Sequence, residues 1–193
     1  MSEERDLLIQ TVRDLVGKHA GPEAVRAAMA APKGYDERLW QLLCEQVGAA
    51  ALVVPEDLGG AGGALADAAA VLTELGRNLV PTPLLGSTLA ELALLAGQPV
   101  DADAREKLEA LTAGESIGAV VFDPEYVVNG DIADVVIGAD SRVLTQWVDF
   151  EATAQPTMDA TRPLAKLRAI QTTALGADPG LGDLAREQLA GLA

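Results

Sequence analysis

The sequence predicts an α+β chain: an N-terminal all-helical bundle, then a small antiparallel β-domain, then the start of a C-terminal helix. Three observations carry that reading. Apolar residues recur at helical spacing through residues 1–113, with Gly and Pro where helices should stop. From Gly114 the texture changes to short β-branched runs bounded by Gly, Asn or Asp. Residues 184–192 then return to a helical pattern. The expected divisions are 1–113, helical; 114–176, a small β-domain; and 177–193, the opening of a further helical domain.

Ser2, followed by Glu3, Glu4 and Asp6, resembles a helix start, with acids near the positive end of the dipole. Leu8, Val12, Leu15 and Val16 form one apolar stripe, which residues 17–22 end. Residues 24–30 predict a second short helix, broken at Pro32-Lys33-Gly34. Asp36 can cap the next helix, whose apolar positions are Leu39, Trp40, Leu42, Leu43 and Val47; Gly48 is its natural stop. Residues 49–54 are too few for periodicity to separate a strand from a buried turn, and Pro55 closes them. Residues 64–79 predict a helix with Leu65, Ala68, Leu72 and Leu75 on one side, and 84–96 another after Pro81 and Pro83. Asp101 and Asp103 open a last helix that ends near Ala113. Leu39, Trp40, Leu43, Leu72 and Leu75 are the expected core of this bundle.

Residues 117–122, 126–130, 133–138 and 142–150 predict strands, joined by tight turns such as Asn129-Gly130-Asp131; another is expected over 167–173. They would make a small antiparallel sheet or a partial barrel. Apolar residues are 49% of the chain but aromatics only 3%, so Ala, Leu and Val must fill the interior. A formal charge of −15 repels phosphate backbones and excludes nucleic acid as a partner. No apolar run reaches the ~18 residues of a membrane span, and the first residues lack a signal peptide's basic and apolar segments. The single cysteine, Cys44, has no disulfide partner and fits a reducing compartment as a packed small hydrophobe. A soluble cytoplasmic protein is expected.

Gly59, Gly60 and Gly62 invite a dinucleotide-binding reading, but Leu65 stands where the third glycine belongs, and no Gly-Lys-Ser/Thr follows. They read instead as a bend between two helices. His19 is the only histidine, so neither a triad nor a zinc site can assemble, and no metal is expected. Trp40 and Trp147 read as core anchors, and Asp159-Ala160-Thr161-Arg162 as a turn held by an Asp–Arg pair. A carboxylate base needs a tuned pKa and hence burial. Glu56, Glu74 and Glu91 all adjoin apolar runs, and nothing in the sequence singles one out, so no catalytic residue is named.

One stretch carries more. D-E-R-L-W-Q-L-L-C-E-Q-V-G-A-A-A-L-V-V-P-E-D-L-G-G-A-G-G (36–63), with V-L-T-E-L-G-R-N-L-V-P-T-P-L-L-G-S-T-L-A (71–90), resembles the N-terminal helical domain of the acyl-CoA dehydrogenase family. Residues 126–139 and M-D-A-T-R-P-L-A-K-L (158–167) resemble its middle β-domain, and A-R-E-Q-L-A-G-L-A (185–193) the opening of its C-terminal helical domain. The resemblance implies an FAD enzyme that oxidises the α,β bond of an acyl-CoA thioester. A glutamate takes the α-proton, the acyl chain lies between helical and β-domains, and an electron-transferring flavoprotein accepts the electrons. It also implies a substrate-cleft loop at Gly59, Gly60 and Gly62, and a dimeric or tetrameric assembly.

The departures shape the expectation. The family's C-terminal four-helix domain, with its glutamate base, is missing, and the middle domain is short. Where the family has a T-E-x-x-x-G-S-D type segment against flavin and substrate, this chain has A-V-V-F-D-P-E-Y (119–126), so no cofactor-binding residue carries over. In some actinobacterial relatives acting on steroid side-chain CoA esters, one member of a heteromeric pair has such a reduced middle domain and supports its partner's flavin site. The chain is therefore expected to be a subunit, or a fragment of one, of an FAD-dependent acyl-CoA dehydrogenase. FAD would be bound only with a homologous partner subunit or the missing C-terminal domain. The alternative is a non-catalytic structural module with this fold.

Overall fold

The computed structural model describes residues 3–97, 100–139 and 143–175. The expected cap at Ser2 and the helix over 184–192 lie outside the described residues. Six helices come first: α1 (Glu3–His19), α2 (Pro22–Met29), α3 (Glu37–Leu42), α4 (Leu65–Arg77), α5 (Leu84–Ala96) and α6 (Ala102–Thr112). The strands follow: β1 (Gly118–Val121), β2 (Val127–Val128), β3 (Val135–Ala139), β4 (Leu144–Gln155) and β5 (Leu164–Ala174).

The caps behave as their chemistry dictates. An Asp36 carboxylate oxygen accepts the N–H groups of Arg38 (2.9 Å) and Leu39 (3.1 Å), satisfying two donors with no partner inside the helix. Asp101 does the same for Ala104 N–H at 2.8 Å. α3 runs on into one wide π turn, Leu43–Val47, and stops at Gly48, whose left-handed φ of 66° suits a residue without Cβ. Residues 49–54 are a 3-10 turn and bends, not a strand.

Val12, Leu15 and Val16 of α1, Leu39 and Trp40 of α3, and Val71 and Leu75 of α4 form one buried cluster. Trp40 is 3% exposed and its indole N–H donates to Gly114 O at 2.9 Å, tying α3 to the reversal before the sheet. Gly114 (φ 72°) is required there, because a Cβ would lie 2.5 Å from Cys44 Sγ. Burial pushes the Cys44 thiol up to about 12, and the nearby Glu91 carboxyl adds to that. At pH 8 it carries roughly three orders of magnitude less thiolate than a free cysteine. A thiol reagent is expected to modify Cys44 rapidly only after denaturation; equal rates in the native and denatured chain would contradict the packing.

Charge pairs tie α1 to α4. Glu74 is buried and accepts from Arg13 at 2.9 Å and from Arg77, while Arg5 reaches Asp67 at 2.6 Å. A second cluster packs Leu89, Ala93 and Leu94 of α5 and Leu108 and Leu111 of α6 against Val120, Val135 and Ile137 of the sheet.

Strand order is β1-β3-β4-β5-β2. Pairing is antiparallel except between β1 and β3, which run parallel with Gly118 opposite Val135, so the sheet is mixed. β4 and β5 form a long hairpin whose register slips at Asp149. α5 lies directly on β1. A Cβ on Gly86 would stand 2.5 Å from Gly118 O, and one on Gly118 would stand 2.6 Å from Ala90 Cβ. Among the described residues no helix is long and apolar enough to cross a membrane.

Candidate functional site

α4 and α5 are joined by residues 78–83, where Leu79 reverses the chain with a left-handed φ of 54°. Between them opens a cleft of about 600 Å³ whose third wall is the sheet. α4 contributes Ala69, Leu72, Thr73 and Gly76, positions spaced to share one helix face. α5 contributes Leu85, Gly86 and Leu89. Val120 of β1 and Val128 of β2 face them, with Phe122 and Tyr126 from the intervening segment. Arg162, in the turn between β4 and β5, completes the lining. The result is an apolar slot with one hydroxyl, one phenol and one cation. Among the described residues no carboxylate and no histidine lines it, so they can hold an apolar chain but supply no group to take a proton.

The glycines singled out in the sequence sit elsewhere. Gly59, Gly60 and Gly62 are not among the lining residues. Their loop folds back on residues 51–54, with Ala61 N–H on Ala51 O (2.8 Å), Gly62 N–H on Val54 O (2.9 Å) and Gly63 N–H on Leu52 O (2.8 Å). A Cβ on Gly60 would fall 1.9 Å from Val54 O, so close backbone approach dictates that residue. Leu72, expected in the core, is only partly buried and lines the cleft.

The three candidate glutamates separate cleanly. Glu56 is exposed and Glu74 is neutralised by its arginines, the Arg13 hydrogen bond holding its carboxyl below the usual range. Glu91 is fully buried, both its oxygens lack a hydrogen-bond partner, and burial pushes its pKa well above the usual carboxylate range. It does not line the cleft. A signal for its burial was present: α5 reads L-L-G-S-T-L-A-E-L-A-L-L-A, apolar all round, and such a helix buries whatever it carries.

The turn at 159–162 differs from expectation. Asp159 forms no direct ion pair with Arg162; its carboxylate accepts from Thr161 N (2.9 Å) and Thr161 Oγ1 (2.6 Å), which lowers its pKa, and the Arg162 charge lowers it further. His19 is exposed at the end of α1. Trp147 is half-buried and borders a more polar groove of about 430 Å³ with Asp103, Lys107 and Gln146. Among the described residues no group of three or more His, Cys, Asp or Glu could hold a metal.

Residues 119–126 do not fit a flavin. Beyond β1 they present Asp123, which accepts Glu125 N–H at 2.9 Å, and Glu125, which pairs with Lys166 at 2.6 Å. These two acid side chains offer no donor to a flavin ring, and the segment brings no cation of its own to a pyrophosphate.

Comparison with known proteins places this geometry. Residues 2–115 match the family described as acyl-CoA dehydrogenase, N-terminal domain. The chain is 63% identical over 188 residues to the acyl-CoA dehydrogenase IpdE2 of Mycobacterium tuberculosis, an alignment covering 97% of this chain and 58% of that protein. It thus spans little more than half the length of the curated relatives it matches. Among solved structures, a variant of the Tcur3481–Tcur3483 steroid ACAD superposes with a TM-score of 0.76 at 24% identity, covering 98% of this chain and 62% of that one. The ChsE4–ChsE5 complex from Mycobacterium tuberculosis gives 0.76 at 21% identity, over 100% and 60%. At these identities the structural likeness speaks for the fold alone.

Proposed function

The chain belongs to the acyl-CoA dehydrogenase family, and from that premise we propose that it is a supporting subunit, or the N-terminal part of one. It walls an acyl-CoA cleft while FAD and the catalytic base come from a homologous partner subunit or from residues beyond those described. One observation carries the reading: the cleft is lined mainly by apolar side chains yet holds no carboxylate among the described residues. The absence of a flavin fit at 119–126 supports it. The family reaction is α,β-desaturation of an acyl-CoA thioester, for which FAD supplies the oxidant and an electron-transferring flavoprotein the onward route for electrons. The apolar walls suit a steroid side-chain or fatty acyl group, the former in keeping with the steroid ACAD among the structural relatives. A cytoplasmic location accords with the unpaired Cys44.

The test is co-expression with an acyl-CoA dehydrogenase chain that has an intact flavin segment. The chain alone is expected to purify colourless, and the complex to carry a flavin spectrum and oxidise an acyl-CoA. Flavin bound to the chain alone would overturn the non-binding reading. A complex that desaturates no acyl-CoA would favour a non-catalytic structural module.

A further inference from the structure

We propose that Arg162 is the anion-recognition residue of this cleft, receiving either a CoA phosphate or a carboxylate on the acyl group. The inference rests on the cleft being an acyl-thioester site and names the part of the ligand that the cleft selects.

The turn holds Arg162 in place from both sides. Its N–H donates to Asp159 O at 3.1 Å, and the next residue, Pro163, accepts Asn129 N–H at 2.9 Å. Thr161, immediately before it, is fixed by the Asp159 carboxylate. The guanidinium is carried across to α4, where Nη2 lies 3.9 Å from the place a Cβ on Gly76 would occupy.

The neighbouring acids are already committed. Glu74 is held by Arg13 and Arg77 and Glu125 by Lys166, while Asp159, hydrogen-bonded by Thr161, still acts on Arg162 through its charge but forms no direct ion pair with it. Arg162 itself forms no ion pair among the described residues. The guanidinium thus stands without a direct ion-pair partner at a slot whose other lining side chains are uncharged. A planar fork of donors suits a phosphate or carboxylate, which it can bind through two parallel hydrogen bonds. An acyl-CoA offers both halves of that complement, an apolar chain for Leu72, Leu85 and Leu89 and anionic oxygens for Arg162.

The simpler alternative is that Arg162 only complements the carbonyl end of α4. That role would alter stability without regard to ligand charge. The experiment measures dissociation constants by calorimetry for the chain in complex with its partner, using wild type, Arg162→Gln and Arg162→Lys. The ligands are octanoyl-CoA, octanoyl-pantetheine, which lacks the phosphates, and suberyl-pantetheine, which ends in a carboxylate. Arg162→Gln is expected to weaken one anionic ligand about 10-fold or more, with Lys restoring part of the loss and octanoyl-pantetheine within about 2-fold of wild type. Loss for octanoyl-CoA identifies a phosphate, and loss for suberyl-pantetheine a carboxylate. Equal loss for all three ligands, or loss for none, overturns the proposal. If wild type binds none of them, the acyl-thioester reading itself has failed.

Discussion

Replacing Glu91 with leucine is expected to raise the melting temperature by about 2–12 °C at pH 4.5, and by more at pH 7. Both carboxyl oxygens are buried without a partner, and removing an unsatisfied buried polar group returns about 1–3 kcal/mol. In a chain of this size each kcal/mol moves the midpoint by about 2–4 °C. The same residue sets a pH dependence opposite to that of a paired acid. Burial raises its folded-state pKa well above the usual carboxylate range, so the folded chain holds the proton more tightly than the unfolded one. Below the unfolded pKa both states are protonated and Glu91 exacts no electrostatic penalty. As pH rises beyond it, the unfolded state ionises first, and stability falls by about 1.4 kcal/mol per pH unit until the folded pKa is reached. Glu74, Asp67 and Asp159 have lowered pKa values and act in the other direction, their contribution being lost in acid. The comparison is therefore between melts of wild type and Glu91→Leu from pH 4.5 to 8. The gap between them should widen with pH. A constant gap would mean that Glu91 is not buried as an acid.

Gly86→Ala is expected to destabilise the chain by about 2 kcal/mol. Alanine normally gains about 1 kcal/mol over glycine inside a helix. Here its methyl would stand 2.5 Å from the Gly118 carbonyl oxygen. That atom belongs to β1, so α5 or the strand must move, and overpacking of this kind costs about 1–3 kcal/mol and sometimes more. The overlap wins because neither backbone can yield as a side chain would. Gly17→Ala is the control. Gly17 lies in α1 with nothing within 4 Å of its added methyl, so it should stabilise the chain by a few tenths to 1 kcal/mol. Denaturant midpoints for the two variants should shift in opposite directions. Gly86 also lines the cleft, so its variant should change acyl-ligand affinity as well.

Much of the helical half was legible because local rules sufficed. Asp36 caps, Gly48 stops, and the stripe Val12, Leu15, Val16 is buried as spaced. What sequence could not give was the far side of each contact. Leu72 belongs to α4's apolar stripe, yet no element among the described residues covers it fully, so a core position became a cleft wall. Arg162 lies three residues from an acid and reads as its partner, but Thr161 is nearer to that acid and takes it. The strands were readable from β-branched runs, whereas the direction of β1 against β3 was not, since alternation is the same for parallel and antiparallel neighbours.

That parallel pair bears on the order in which the molecule can be assembled. A strand cannot pair in parallel with a neighbour until the chain has crossed over and returned, and here the return takes residues 122–134. Val120, a wall residue of the cleft, is thus secured by β3, and β3 in turn pairs with β4. During synthesis α4 and α5 emerge with their facing side chains exposed to water, and the third wall arrives only after Ala139 has left the ribosome. The cleft is a late-made surface on an early-made bundle, and a nascent chain halted before β3 would present Leu72, Leu85 and Leu89 as an open apolar strip.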